Sequence, residues 1–159
     1  KINTWQQNRI YKIIFKKLFN NLQNKKITIL GFSFKSNTND TRESPSIEIC
    51  KNLLDEGAQI SVFDPKVEKK QILNVLKNIY IDDDLNQKCL IENSVLNASI
   101  NADAILILTD WEEFKNIIWK DIFGVVKKPI WIFDTRNVCT DRENLQKIGF
   151  NFWSLGGVN

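Results

Sequence analysis

An α/β domain is predicted here: a parallel sheet with helices packed on both of its faces. Three observations predict it. Short apolar runs such as Ile27-Thr28-Ile29-Leu30 and Ala104-Ile105-Leu106-Ile107-Leu108 have the composition of strands buried on both faces. Stretches with apolar residues at helical spacing fall between those runs. Alternation of the two kinds of segment implies right-handed βαβ units, hence a sheet covered on both sides.

Residues 4–22 read as a first helix. Thr4 is placed to cap it, and Ile10, Ile13, Ile14, Leu18 and Leu22 make its stripe, which Tyr11 and Phe15 widen. A stripe this broad faces either its own domain or a seam with another domain or subunit. The run from Lys26 to Phe32 is the first strand. Ser44-Pro45 then opens a helix, with Ser as N-cap and Pro at the first helical position. Ile47, Cys50, Leu53 and Leu54 form one face of it, and Gly57 ends it. Ile60 to Phe63 is the second strand, stopped by Asp64-Pro65. Residues 67–77 are helical, whereas 78–98 are polar and show no clear period. Ala104 to Leu108 is the third strand, 111–125 a short helical stretch and Ile130 to Phe133 the fourth strand after Pro129. A helix over 141–148 and a strand from Phe150 to Leu155 complete the pattern.

With 159 residues, the chain fits one domain with a real core. Its 43% hydrophobic and 26% charged residues match an ordinary globular domain. A net charge of +3, with scattered basic residues, speaks against nucleic acid as a partner. No apolar run approaches the roughly 20 residues of a membrane span, and no signal peptide opens the chain. Cys50, Cys89 and Cys139 are odd in number and lack CxxC spacing. That argues against a disulfide framework or a zinc site and suits a reducing, cytoplasmic setting. The sequence has no histidine and no methionine. Acid-base chemistry therefore falls to Asp, Glu, Lys or Cys, and the chain reads as a piece of a longer protein.

In open α/β sheets ligands bind beyond the carboxyl ends of the strands. After the first strand comes the long polar loop from Gly31 to Pro45, with neither GxGxxG nor a P-loop. Connections of this kind usually take about two to six residues. The loop carries Lys35, Arg42 and several hydroxyls, and it feeds a helix N-terminus, which suits an anion. Alternatively it is solvated, with Asp40 and Arg42 paired to each other. Arg136, after the fourth strand, lies on the same sheet edge as Lys35, where two cations can converge on a pair of phosphates. Taken alone, Arg136 is equally a surface ion-pair partner, and Asp134 a turn former. Asp110 and Glu112 either order the neighbouring loops or, more simply, cap the helix that follows. Cys50 reads as core. Cys139 follows Arg136, and a nearby cation would favour its thiolate.

Gly31-Phe32-Ser33-Phe34-Lys35 with Thr38, Asp40, Arg42, Ser44 and Pro45 resembles the GFxFKxxTxDxRxSP signature of the nucleotide-sugar dehydrogenases, the UDP-glucose/GDP-mannose dehydrogenase family. Four further marks agree in order: Asp55-Glu56-Gly57-Ala58, Phe63-Asp64-Pro65-Lys66, Thr109-Asp110-Trp111 and Phe133-Asp134-Thr135-Arg136. Asn3, Gln6 and Arg9 are similar to the family's central connecting helix. The likeness covers nearly the whole chain and is nearest to the members that act on UDP-glucose.

The resemblance implies a Rossmann-like C-terminal domain over 25–159, which binds the UDP part of the substrate. It implies that 1–24 are the end of the long connecting, dimerising helix. It assigns Phe34, Lys35, Ser36, Asn37, Thr38, Asn39, Asp40, Thr41 and Arg136 to UDP-glucose, and Arg42 to NAD held mainly by a separate N-terminal domain. The family oxidises the sugar C6 alcohol to a carboxylate in two hydride transfers through a cysteine thioester, and it forms homo-oligomers. Its nucleophile and glycine-rich motif lie upstream of the matched region, so no catalytic residue and no metal ligand are carried over and the chain alone is expected to be inactive. Thr135 stands where the family usually has Gly, which adds a side chain beside Arg136. The alternatives are the same domain of a dehydrogenase acting on UDP-N-acetyl sugars or GDP-mannose, and a non-catalytic nucleotide-binding module.

Overall fold

The computed structural model describes residues 4–18 and 20–155. Six strands form one parallel sheet: β1 (Lys26–Leu30), β2 (Gln59–Phe63), β3 (Cys89–Ile91), β4 (Ala104–Ile107), β5 (Trp131–Asp134) and β6 (Asn151–Ser154). Their order across the sheet is β3-β2-β1-β4-β5-β6. The chain thus winds outward from β1 to β3, returns, and winds outward again from β4 to β6. The point of reversal lies between β1 and β4, and there the loops that leave the two strands part to opposite faces.

Register explains the two cores. Val62, Ile29, Leu106, Phe133 and Trp153 lie side by side across the sheet. They face the helices α1 (Thr4–Lys17), α2 (Pro45–Asp55) and α3 (Lys69–Lys77), and the one-turn α4 (Leu85–Lys88) adds Leu85 to the same cluster. One residue on, Phe63, Leu30 and Ile107 point the other way. They meet α5 (Val95–Ser99), α6 (Glu112–Lys115), α7 (Trp119–Phe123) and α8 (Arg142–Ile148). A sheet buried on both faces needs apolar residues at successive positions, which is why its strands read as runs.

The side of α1 formed by Ile10, Ile14 and Leu18 is buried on its own sheet, over an aromatic row. Trp131 stacks on Phe133 at 5.6 Å, Phe133 lies 6.4 Å from Trp153, and the Lys17 ammonium sits 5.0 Å above the Trp131 ring. The opposite side, with Trp5, Arg9 and Lys12, is exposed. The proposed cap at Thr4 and the match at Gln6 concern side chains outside the described ones, and Asn3 lies outside the described residues.

Several boundaries differ from the sequence reading. The first helix ends at Lys17 rather than 22, because Asn20 and Asn24 take left-handed conformations (φ 58° and 61°) and turn the chain into β1. The unpatterned stretch 78–98 holds α4, α5 and the edge strand β3, so the sheet has six strands rather than five. β3 is only three residues long and half-buried beyond Cys89, too short and too exposed to leave a period. The helical stretch 111–125 breaks into α6 and α7 around Asn116. Ser44 does cap α2: its hydroxyl accepts from the Ser46 N–H, and Pro45 stands at the first helical position.

Candidate nucleotide site at the strand ends

The loops after β1, β4 and β5 are fastened in layers. Gly31 has φ +100°, and a Cβ there would collide with the Thr109 side chain. Its carbonyl accepts from the Ser46 hydroxyl at 2.8 Å. The carbonyl of Ser33 accepts from both Thr109 Oγ1 and Ser44 Oγ at 3.3 Å. Thr135 adds the next layer, where its N–H and hydroxyl both donate to the Ile107 carbonyl, at 3.1 and 2.8 Å. Thr135 therefore needs no left-handed backbone. The side chain that departs from the family's glycine is buried and hydrogen-bonded.

Two carboxylates organise these turns from beneath. Asp64 Oδ2 accepts from the N–H groups of Phe32 (2.7 Å) and Ser33 (3.0 Å) and from the Trp111 indole (3.3 Å). Its Oδ1 accepts from the N–H groups of Lys66 and Val67. One buried side chain thus ties together the loops after β1, β2 and β4. The sequence showed Asp64 only as a strand stop and part of a family mark, since three of its five partners lie more than 30 residues away. Asp134, fully buried, accepts from the N–H groups of Arg136, Val138 and Cys139. That is the turn-forming role; the ion pair of the Arg136 side chain is with Asp110.

On this base the loop from Gly31 to Ser44 is shaped by its own backbone. Phe34 N–H donates to the Asp40 carbonyl at 2.6 Å, Ser33 Oγ to the Lys35 carbonyl at 2.7 Å, and Asp40 N–H to Thr38 Oγ1 at 3.1 Å. Asn37 and Glu43 take left-handed conformations. Gln71 reaches over from α3 to the Asn39 carbonyl. Lys35, Asn37, Asn39 and Arg42 are exposed, Phe34, Ser36, Thr38 and Asp40 are half-buried, and Thr41 is buried. Among the described residues Lys35 makes no ion pair.

Arg42 is grasped by Asp40, with Nη2 at 2.8 Å from Oδ2 and Nε at 3.1 Å from Oδ1. The Arg42 hydrogen bonds hold the Asp40 carboxyl at about 2. The pair is exposed, so its attraction is weak and other anions can compete for the guanidinium. Arg136 is half-buried, with Nη2 at 3.6 Å from an oxygen of Asp110. Burial pushes the Asp110 carboxyl up, but the Arg136 charge and hydrogen bonds from Ser36 outweigh it, and the net shift is downward. Capping of the following helix is thus not the role of Asp110: α6 has no side-chain cap, and Asp110 faces the neighbouring loops. Glu112 pairs with Lys115 on the surface.

The cysteines stand apart from this chemistry. Cys50 is fully buried, and burial pushes its thiol up. Burial also raises Cys89, to about 12. At Cys139 the pull of a nearby cation is overridden: burial, then the Asp134 charge, push the thiol far up, and the Arg136 side chain turns to Asp110 instead. Among the described residues no helix is long and apolar enough to cross a membrane.

Residues 28–141 match the model of the UDP-glucose/GDP-mannose dehydrogenase family, UDP binding domain. The chain belongs to that family. UDP-glucose 6-dehydrogenase of Caenorhabditis elegans is 41% identical over 98% of the chain, which covers 32% of that protein. UDP-glucose 6-dehydrogenase 4 of Arabidopsis thaliana is 40% identical over 98% of the chain and 35% of its own length. This family domain thus spans about a third of its curated relatives. UDP-D-ManNAc dehydrogenase from Pyrococcus horikoshii shares the fold with a TM-score of 0.73, at 23% identity, over 95% of this chain and 31% of that one.

Proposed function

We propose that this chain is the UDP-sugar-binding, C-terminal domain of a UDP-glucose 6-dehydrogenase, which oxidises UDP-glucose to UDP-glucuronate with two NAD. The observation that carries this reading is the meeting of the loops that hold Lys35 and Arg136. Ser36, next to Lys35, lies near enough to lower the carboxyl of the same Asp110 that pairs with Arg136. Two cations from two strand ends thus overlook one edge of the sheet, where a diphosphate fits.

In this reading the ammonium of Lys35 and the fork of Arg136 bind the phosphates. The polar loop from Phe34 to Thr41 lines the rest of the nucleotide sugar. For NAD, the chain fits only as a contributor. The turn after β1 is not glycine-rich, and the N-terminus of α2 is closed by Ser44 and Pro45. Arg42 is the group this chain offers, exposed and paired with the half-buried Asp40. NAD supplies the hydride acceptor when bound, and a separate N-terminal domain holds most of it. The protein works in the cytoplasm, where three unbridged thiols are at home. The outer side of α1 meets a second copy in a homo-oligomer.

Calorimetric titration of UDP and uridine tests the site. Lys35→Ala and Arg136→Ala are each expected to weaken UDP about 10- to 100-fold, at roughly 1.5–3 kcal/mol per charge-assisted bond. Uridine, without phosphates, is expected to lose much less. Equal losses for both ligands, or none, would refute the phosphate assignment. Competition between UDP and GDP reports which base the domain takes.

A further inference from the structure

The loops after β4 and β5 touch at their tips through the loose pair of Asp110 and Arg136, 3.6 Å apart. At that separation the charges attract, but among the described residues no short directed hydrogen bond occupies the guanidinium fork. Oδ1 of the same carboxylate is buried and accepts no hydrogen bond, so the pair leaves lone-pair capacity unused as well. Ser36, in the loop after β1, lies near the same carboxylate and helps to hold it down. The next residue, Trp111, is anchored below by Asp64. Asp110 therefore sits on a fixed base and pairs with the cation of the loop after β5.

A carboxylate beside an anion site weakens anion binding by charge alone. Its place here calls for an offsetting role, and the geometry points to one. We infer that Asp110 is a positioning residue: it holds the Arg136 guanidinium in one arrangement, so that a nucleoside diphosphate meets a fork already oriented. The inference rests on the nucleotide reading above. Orientation fixed before binding removes part of the ordering cost that a free arginine side chain would carry into the complex.

Charge alone and positioning predict opposite signs, which makes the test decisive. UDP is titrated by calorimetry into the chain and into Asp110→Ala, Arg136→Ala and the double variant, with melting temperatures recorded alongside. Asp110→Ala is expected to weaken UDP about 3- to 30-fold, the range of coupling between residues in contact. In the Arg136→Ala background the same change is expected to do little, because the group it positions is gone. Asp110→Asn keeps the side chain's size and an acceptor oxygen beside Arg136 but not the charge, and is expected to fall between wild type and Asp110→Ala. Tighter UDP binding by Asp110→Ala overturns the inference in favour of plain repulsion. Losses that multiply in the double variant, with a lower melting temperature, overturn it in favour of a fold-support role. Asp110→Asn as tight as wild type removes the ion-pair basis. An Arg136→Ala loss with no Asp110→Ala effect sinks this inference alone, whereas no UDP binding by the wild type sinks the nucleotide reading beneath it.

Discussion

Gly31 shows how a single position carries both fold and site. Its φ of +100° and the closeness of Thr109 leave no room for a side chain. Gly31→Ala combines a left-handed backbone penalty with overpacking, and is expected to cost about 2–5 kcal/mol. Chemical denaturation measures it, and an unchanged midpoint would show that the turn relaxes freely. The signature residues Lys35, Arg42 and Arg136 stood out in the sequence because cations cluster after apolar runs. Their partners were visible only where they lie close in the chain. Asp40 lies two residues from Arg42 and was a visible candidate, but Asp110 and Arg136 lie 26 residues apart and on different loops. Asp64 was likewise silent, since a carboxylate with five hydrogen-bond partners looks in sequence like any Asp before Pro.

Among the elements, α1 most needed the structure. Its periodicity announced a wide apolar stripe without saying which side faces what. Ile14 is fully buried on the sheet, while Ile13 is half-buried beside Trp5 and Arg9 on the outer side. Ile14→Glu would bury an unpaired charge and is expected to destabilise the domain by about 3 kcal/mol or more. Ile13→Glu is expected to leave the melting temperature nearly unchanged and, where the outer side joins two copies, to raise the monomer fraction in light scattering. A large stability loss from Ile13→Glu would place that residue in the domain's own core. β3 and the break between α6 and α7 escaped the pattern because elements of three to five residues hold too few positions for a period.

For the molecule as a whole, burial sets the response to alkali. Tyr11 is pushed up from 10.0 to about 12 by burial, then by Glu56. Tyr80 is pushed up to about 12 by burial, then by its hydrogen bond to Asp84. In the unfolded chain both ionise near 10. The folded form keeps these protons longer, so their contribution is intact below pH 10 and is lost as pH rises toward 12. Cys89, raised from 9.0 to about 12, opens the window near pH 9. Urea midpoints measured from neutral pH upward are expected to fall across that range, with phenolate absorbance appearing together with unfolding. Phenolate that titrates near pH 10 in the folded chain would contradict it. A second expectation concerns activity: mixed with UDP-glucose and NAD, the chain alone is expected to make no NADH, because it has neither a glycine-rich cofactor turn nor the family's nucleophile. Turnover well above a protein-free control would overturn that division of labour.

Fold class, strand runs, the α2 cap and the family signature were legible in the sequence because each rests on residues near one another along the chain. Local periodicity, turn chemistry and motif spacing act over a few residues and leave a mark there. Strand order, the face on which α1 lies and the pairing of Asp110 with Arg136 rest on contacts between distant segments. Those contacts exist only once the sheet brings β1, β4 and β5 side by side, so burial and hydrogen bonding across the sheet edge assigned the carboxylates their partners.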